Sequence, residues 1–254
     1  MTDPLLAHAI SVVCLVARFA PVVFLCPLLG GLAAPTTVRL TLALSLALSA
    51  HAGGADVPTE LHGLSMARVA LGEALIGTVM GLVVRGPFLA AEMTGLLSDL
   101  ARGASGETAL PGIGSKEASL GVMLQHTLLA ALTVGVGTPL LLRGLWQSLN
   151  DFPLGGPTIG AATWLNVGTT LGSALATGVG LAVPVVVSCW AVDATVATAA
   201  RALPGFALVE NSAGLRLATG AVVMVLVHSL CVSSLREDFV AAALRVAGTA
   251  AGSP

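Results

Sequence analysis

The chain has 254 residues, 56% of them apolar, and only 9% charged: 11 Lys and Arg against 13 Asp and Glu. A soluble domain of this length would carry roughly 60 charges, about a quarter of its residues, so there is too little polar material to coat a water-soluble monomer. With a mean hydropathy of +0.95, a net charge of −2 and a pI near 6.2, the composition excludes a soluble enzyme and a nucleic-acid binder and leaves an integral membrane protein.

The chain opens Met1-Thr-Asp-Pro4, acidic rather than basic, and no small-residue cleavage site follows a short apolar run, so the first segment reads as uncleaved. Six apolar stretches follow: Leu5 to Ala33, Val38 to Ala50, Leu64 to Ala101, Ser119 to Leu149, Ala161 to Ala200 and Leu215 to Val246. They are rich in Leu and Ala and far longer than the roughly 10-residue alternating strands of a membrane barrel, so all are expected to be helical and to form one domain over residues 1–254. About 20 residues cross a bilayer core. The second stretch is too short for that and the third and fifth are nearly twice too long. Pro21, Pro87, Pro139 and Pro184 fall inside stretches, where each removes a helical hydrogen bond and favours a kink or break. Long, kinked helical hairpins packed against other protein fit these lengths better than six regular spans.

The aromatic content points the same way. There is no Tyr, with three Trp and six Phe, although lipid-facing helices usually carry Trp and Tyr at both interfaces. Much of the surface is therefore expected to face protein. Cys14, Cys26, Cys189 and Cys231 lie in apolar stretches without ligand spacing and read as buried free thiols. Basic residues cluster at Arg39, at Arg102 and Lys116, and at Arg201 and Arg216, which puts those connectors in the cytoplasm and the N-terminus outside; Arg236 and Arg245 run against this topology.

Charges within the apolar stretches carry the sharpest signal. Arg18, Glu73, Arg85, Glu92 and Asp193, with Asp99, Arg102 and Arg143 nearer the ends, sit where an unpaired charge is costly. Arg85, Glu92 and Asp99 recur every seven residues, on one helix face if the helix continues past Pro87, and Asp99 can pair with Arg102 three residues on. These charges fit interhelical ion pairs that specify assembly, or a polar face along a water-filled conduit; a proton relay is a third reading. Two Gly-x-x-x-Gly repeats, Gly77–Gly81 and Gly168–Gly172, are expected to be helix-packing faces. His126 and His228 are single histidines, expected to be satisfied within the fold. No nucleophile–base pair, metal cluster, phosphate loop or cofactor motif can be assembled, and Gly135-Val-Gly137 alone carries no such meaning.

The connector after the third stretch differs from the others. It holds Gly103, Ser105, Gly106, Ala109, Leu110, Pro111, Gly112, Ile113 and Gly114, a glycine-rich run with a small apolar tip. Such a loop could fold into a lumen and block it, or simply be solvated.

Several runs together resemble the FliR/SctT family of inner-membrane export-gate proteins of bacterial flagella and type III secretion systems. The runs are Gly72-Glu-Ala-Leu-Ile-Gly-Thr-Val-Met-Gly81, Phe88-Leu-Ala-Ala-Glu-Met-Thr-Gly95 and Ser98-Asp-Leu-Ala-Arg-Gly-Ala104. Arg18 before Pro21 and Pro27, Pro35-x-x-Val-Arg39, Leu141–Ser148 running into Asp151-x-Pro153, and Ala182-x-Pro184 before Asp193 add to the likeness, which spans nearly the whole chain in order. The Asp99–Ala104 element is closer to the injectisome branch. After Arg201 the chain reads Ala-Leu-Pro-Gly where the family usually has x-Ala-Pro-Gln, which marks an outlying member.

The resemblance implies an all-α membrane protein within a helical multi-subunit export gate, built with the two smaller P-type and Q-type subunit families and other export-apparatus membrane proteins. It further implies passage of unfolded secreted substrates through the bacterial inner membrane, a position partly lifted towards the periplasm, and a plug formed by residues 103–119. No catalysis is expected. The competing expectation is a small-molecule or ion transporter using the intramembrane charges, which predicts a self-similarity between the two halves; a membrane assembly factor is a third.

Overall fold

In a computed structural model, residues 4–31, 34–55, 64–104, 119–156, 160–202 and 212–248 are described. Seven α-helices make up the described chain: α1 Pro4–Leu25, α2 Thr36–Ala52, α3 Leu64–Arg102, α4 Ser119–Val134, α5 Gly137–Asp151, α6 Ala161–Ala202 and α7 Ser212–Gly248, with a 3-10 turn at Pro27–Leu29. No strand occurs among the described residues. The protein is all-α, and four of its helices (α1, α3, α6 and α7) are long and apolar enough to cross a membrane.

The unequal stretch lengths carry through to the helices. α2 has 17 residues, roughly 25 Å at 1.5 Å per residue, short of a bilayer core. α3 and α6 have 39 and 42 residues, about twice the roughly 30 Å hydrocarbon thickness. Both run continuously through a proline, Pro87 in α3 and Pro184 in α6, as α1 does through Pro21.

The first stretch ends its helix at Leu25 and continues as the 3-10 turn Pro27–Leu29, and the fourth breaks into two helices, α4 and α5, bent by 74°. The break in the fourth falls at Gly135–Val136, and Pro139 sits in the first turn of α5. In an unbroken helix the Pro139 ring would strike the carbonyl of residue 135, and the two flanking glycines make leaving the helix cheap. Gly135-Val-Gly137 thus marks a bend.

The helices form two compact units. The first comprises Met1–Gly86, Leu132–Gly172 and Phe239–Pro254, the second Pro87–Ala131 and Ser173–Asp238. In the first unit α1 lies against α2, whose Ala43, Ala47 and Ala50 are buried at helical spacing while Val38, Leu40, Leu44 and Leu48 on other faces are exposed. Phe19 of α1 stacks on Trp146 of α5, with centroids 6.3 Å apart, and Leu141 and Leu145 complete that side of the core. In the second unit Ala174, Gly178, Ala182, Val185 and Cys189 form the buried face of α6.

Candidate functional site

Two buried charge clusters, one in each unit, are the chemically distinctive features of the described chain. In the first unit Arg18 of α1 is fully buried and Glu73 of α3 is 3% exposed. The Arg18 Nε donates to Glu73 Oε2 at 2.5 Å. Its other two nitrogens donate to main-chain carbonyls, Nη1 to Ser148 at 3.2 Å and Nη2 to Phe152 at 2.8 Å. Glu73 Oε1 accepts the Gly155 N–H at 3.1 Å. One ion pair therefore fastens α1 to α3 and also holds the end of α5 and the turn after it.

The pairing requires α1 and α3 to lie very close. A Cβ added at Gly77 would sit 1.9 Å from the Arg18 carbonyl oxygen, so only glycine admits this approach one turn beyond Glu73. Gly81, a turn further, lies against Leu25 and Pro21. Gly168 and Gly172 differ: both are exposed, and a Cβ there meets nothing within 4 Å. Gly172 lies two residues from buried Ala174, which turns it away from the α6 face that packs within the chain.

In the second unit Asp99 and Arg102 are 3% and 8% exposed. Arg102 Nη2 lies 3.1 Å from Asp99 Oδ1, and Asp99 Oδ2 accepts the Leu120 N–H at 3.1 Å. A second ion pair, Arg216 of α7 with Asp193 of α6 at 3.4 Å, is partly exposed. Close helix contacts surround these pairs. Gly95 of α3 meets Gly121 of α4 backbone to backbone, Thr94 donates to the Gly178 carbonyl of α6 at 3.0 Å, and Gly220 of α7 lies on the Arg102 stem.

The remaining charges are less enclosed. Arg85 and Glu92 are half-buried on α3, which does continue past Pro87. Arg143 is exposed on α5. Arg39 places its guanidinium 4.5 Å from the Phe24 ring centroid, a cation–π contact. His126 bonds the Val122 carbonyl through Nδ1 at 2.7 Å. His228, expected to be satisfied, encloses an Nδ1 with no hydrogen-bond partner among the described residues.

The four cysteines are free and buried. Cys26, beyond the end of α1, has its thiol pushed up to about 11 by burial. Of the candidate plug, Gly103 is described, in a left-handed turn with φ 72° directly after Arg102. Ser105, Gly106, Ala109, Leu110, Pro111, Gly112, Ile113 and Gly114 lie outside the described residues.

Sequence reasoning isolated the charges without pairing Arg18 with Glu73, because no spacing rule connects residues 55 apart. It also missed Gly95, Gly178 and Gly220. Gly95 stood inside a motif already singled out, but single glycines carry no periodic signal.

No curated protein matches the chain at a significant level. The family model for bacterial export proteins, family 1, matches residues 9–242. That match covers both charge clusters, all seven helices in whole or large part and the connector between α3 and α4. The chain belongs to this family, the FliR/SctT export proteins, and is a multi-pass membrane component of bacterial type III secretion or flagellar export.

Proposed function

We propose that this protein is a subunit of the type III export gate that forms the inner-membrane channel entrance for unfolded secretion substrates. Its partners are the P-type and Q-type gate subunits and other membrane proteins of the export apparatus, and in the assembly it is partly lifted towards the periplasm. Segment 103–119 is the plug, sealing the channel with its tip Ala109-Leu-Pro-Gly-Ile113. The Asp99–Ala104 element favours the injectisome branch. Catalysis and cofactors play no part.

The observation that carries this reading is the bareness of the long apolar helices. In α3 67% of the most apolar stretch is buried within the chain, against 22% in α6 and 17% in α7. Leu175, Val179, Val183, Val187 and Trp190 follow one another along α6, all exposed. Helices about twice a bilayer thickness with bare apolar faces need a protein sheath over part of their length, which partner subunits supply. Gly168 and Gly172, open within the chain, are suited to close approach by such a subunit.

The buried pairs then act as clamps that fix subunit shape. The transporter reading needs intramembrane charges free to meet a solute, and it is disfavoured by the engagement of Arg18 with Glu73 and of Arg102 with Asp99.

Deleting the gene should abolish secretion of type III substrates while general signal-peptide-dependent export continues. Normal secretion in the deletion strain would contradict the assignment. Glu73→Ala should reduce copurification with the P-type and Q-type subunits, whereas intact complexes would contradict a role for this pair in assembly.

A further inference from the structure

We propose that Asp99 sets the width of the neck of segment 103–119, holding both ends of that segment with one carboxylate. For its consequence in the gate the inference rests on the plug reading above; for the neck itself it rests on described residues alone. Asp99 Oδ1 lies 3.1 Å from Nη2 of Arg102, the residue at the leading end. Oδ2 accepts the N–H of Leu120, in the first turn of α4 at the trailing end, at 3.1 Å. Leu120 is one of the N-terminal donors that a helix cannot satisfy internally, and a carboxylate from a different helix fills that place.

Three features make this a fixed point. Asp99 and Arg102 are both more than nine-tenths buried, where an ion pair is poorly screened by water. One turn before Asp99, a Cβ at Gly95 would lie 2.0 Å from the Gly121 nitrogen, so α3 and α4 touch backbone to backbone beside the clasp. The Arg102 stem is in turn held by α7, since a Cβ at Gly220 would lie 2.3 Å from its Cγ. Among the described residues nearby, Asp193 and Arg216 pair with each other. Asp99 is thus a positioning residue: it acts on the segment through Arg102 and Leu120.

The test places spin labels at Leu100 and Met123, both exposed, in the full chain in lipid nanodiscs, and measures the distance distribution between them. Leakage of a small dye through the assembled gate is measured in parallel for Asp99→Ala, Asp99→Asn and a deletion of Ala109–Ile113. Asp99→Ala should broaden and lengthen the distribution and raise leakage several-fold, about as much as the deletion does. Asp99→Asn keeps an acceptor for Leu120 and loses the charge facing Arg102, so it should fall between wild type and Asp99→Ala; it also carries the test if the alanine variant does not fold.

An unchanged distribution in Asp99→Asn and Asp99→Ala overturns the proposal. A broadened neck with a tight Asp99→Ala gate, while the deletion leaks, overturns Asp99 as the residue that positions the plug. A broadened neck with both gates tight upholds the neck assignment and overturns the plug reading instead.

Discussion

Arg18 is fully buried in an apolar helix, and its guanidinium is occupied by one carboxylate and two carbonyls. Removing one partner of such a pair leaves a buried charge uncompensated, at a cost of about 3–5 kcal/mol. Glu73→Ala should therefore destabilise the detergent-solubilised protein by that order, read from its thermal or denaturant midpoint. The double replacement Arg18→Met, Glu73→Leu should cost clearly less than the sum of the single changes, because it removes both charges together. An additive double mutant would mean that the two side chains do not act as a pair.

Cys26 offers a pH test. Burial raises its thiol from 9.0 in an exposed setting to about 11, so the folded protein holds this proton where the unfolded chain has released it. The contribution to stability is complete below pH 9 and declines as pH rises towards about 11. Maleimide at pH 8 should leave Cys26 unlabelled in the native protein and label it after unfolding. Rapid native labelling would contradict the burial. At this scale the sequence was half legible. Charges in apolar stretches announce themselves by their cost, but which charge meets which depends on contacts between residues far apart in the chain, and these leave no local pattern.

α3 is where the elements converge, contributing Glu73 and Gly77 in the first unit and Thr94, Gly95, Asp99 and Arg102 in the second. Gly77→Ala places a methyl group on the Arg18 carbonyl and should destabilise the fold by about 1–3 kcal/mol or more, the range for overpacking. Gly172→Ala faces open space and replaces a poor helix former, so the isolated chain should be unchanged or gain up to about 1 kcal/mol. Comparing the two midpoints in detergent checks both statements, and equal effects would contradict the packing described. Helix existence and length were readable from the apolar runs, because a predominantly apolar stretch as long as Ala161–Ala200 has few alternatives to a helix. The prolines were less informative than they looked: Pro21, Pro87 and Pro184 are passed by continuous helices, whereas Pro139, with glycines two and four residues before it, coincides with a break, as does Pro27, which opens the 3-10 turn after α1. One missing hydrogen bond is tolerated where packing holds the helix, and not where the flanking residues also favour leaving it.

Over the whole molecule, composition established a membrane protein before any motif was considered, and the poor aromatic belt agrees with the bare lengths of α6 and α7. Family membership follows from the family-model match to residues 9–242, in line with the ordered motifs between Arg18 and Asp193. The assembled state was not legible in the same way, because the surfaces that build a gate are read from what one chain leaves uncovered. The proposed gate makes its sharpest claim at the plug. The direct measurement is single-channel conductance, or small-dye flux, through the gate assembled with its P-type and Q-type partners, comparing the wild type with a deletion of Ala109–Ile113. The proposal predicts a closed wild-type channel and a persistently leaking deletion variant of the same subunit composition; an equally tight deletion variant, fully assembled, would contradict it.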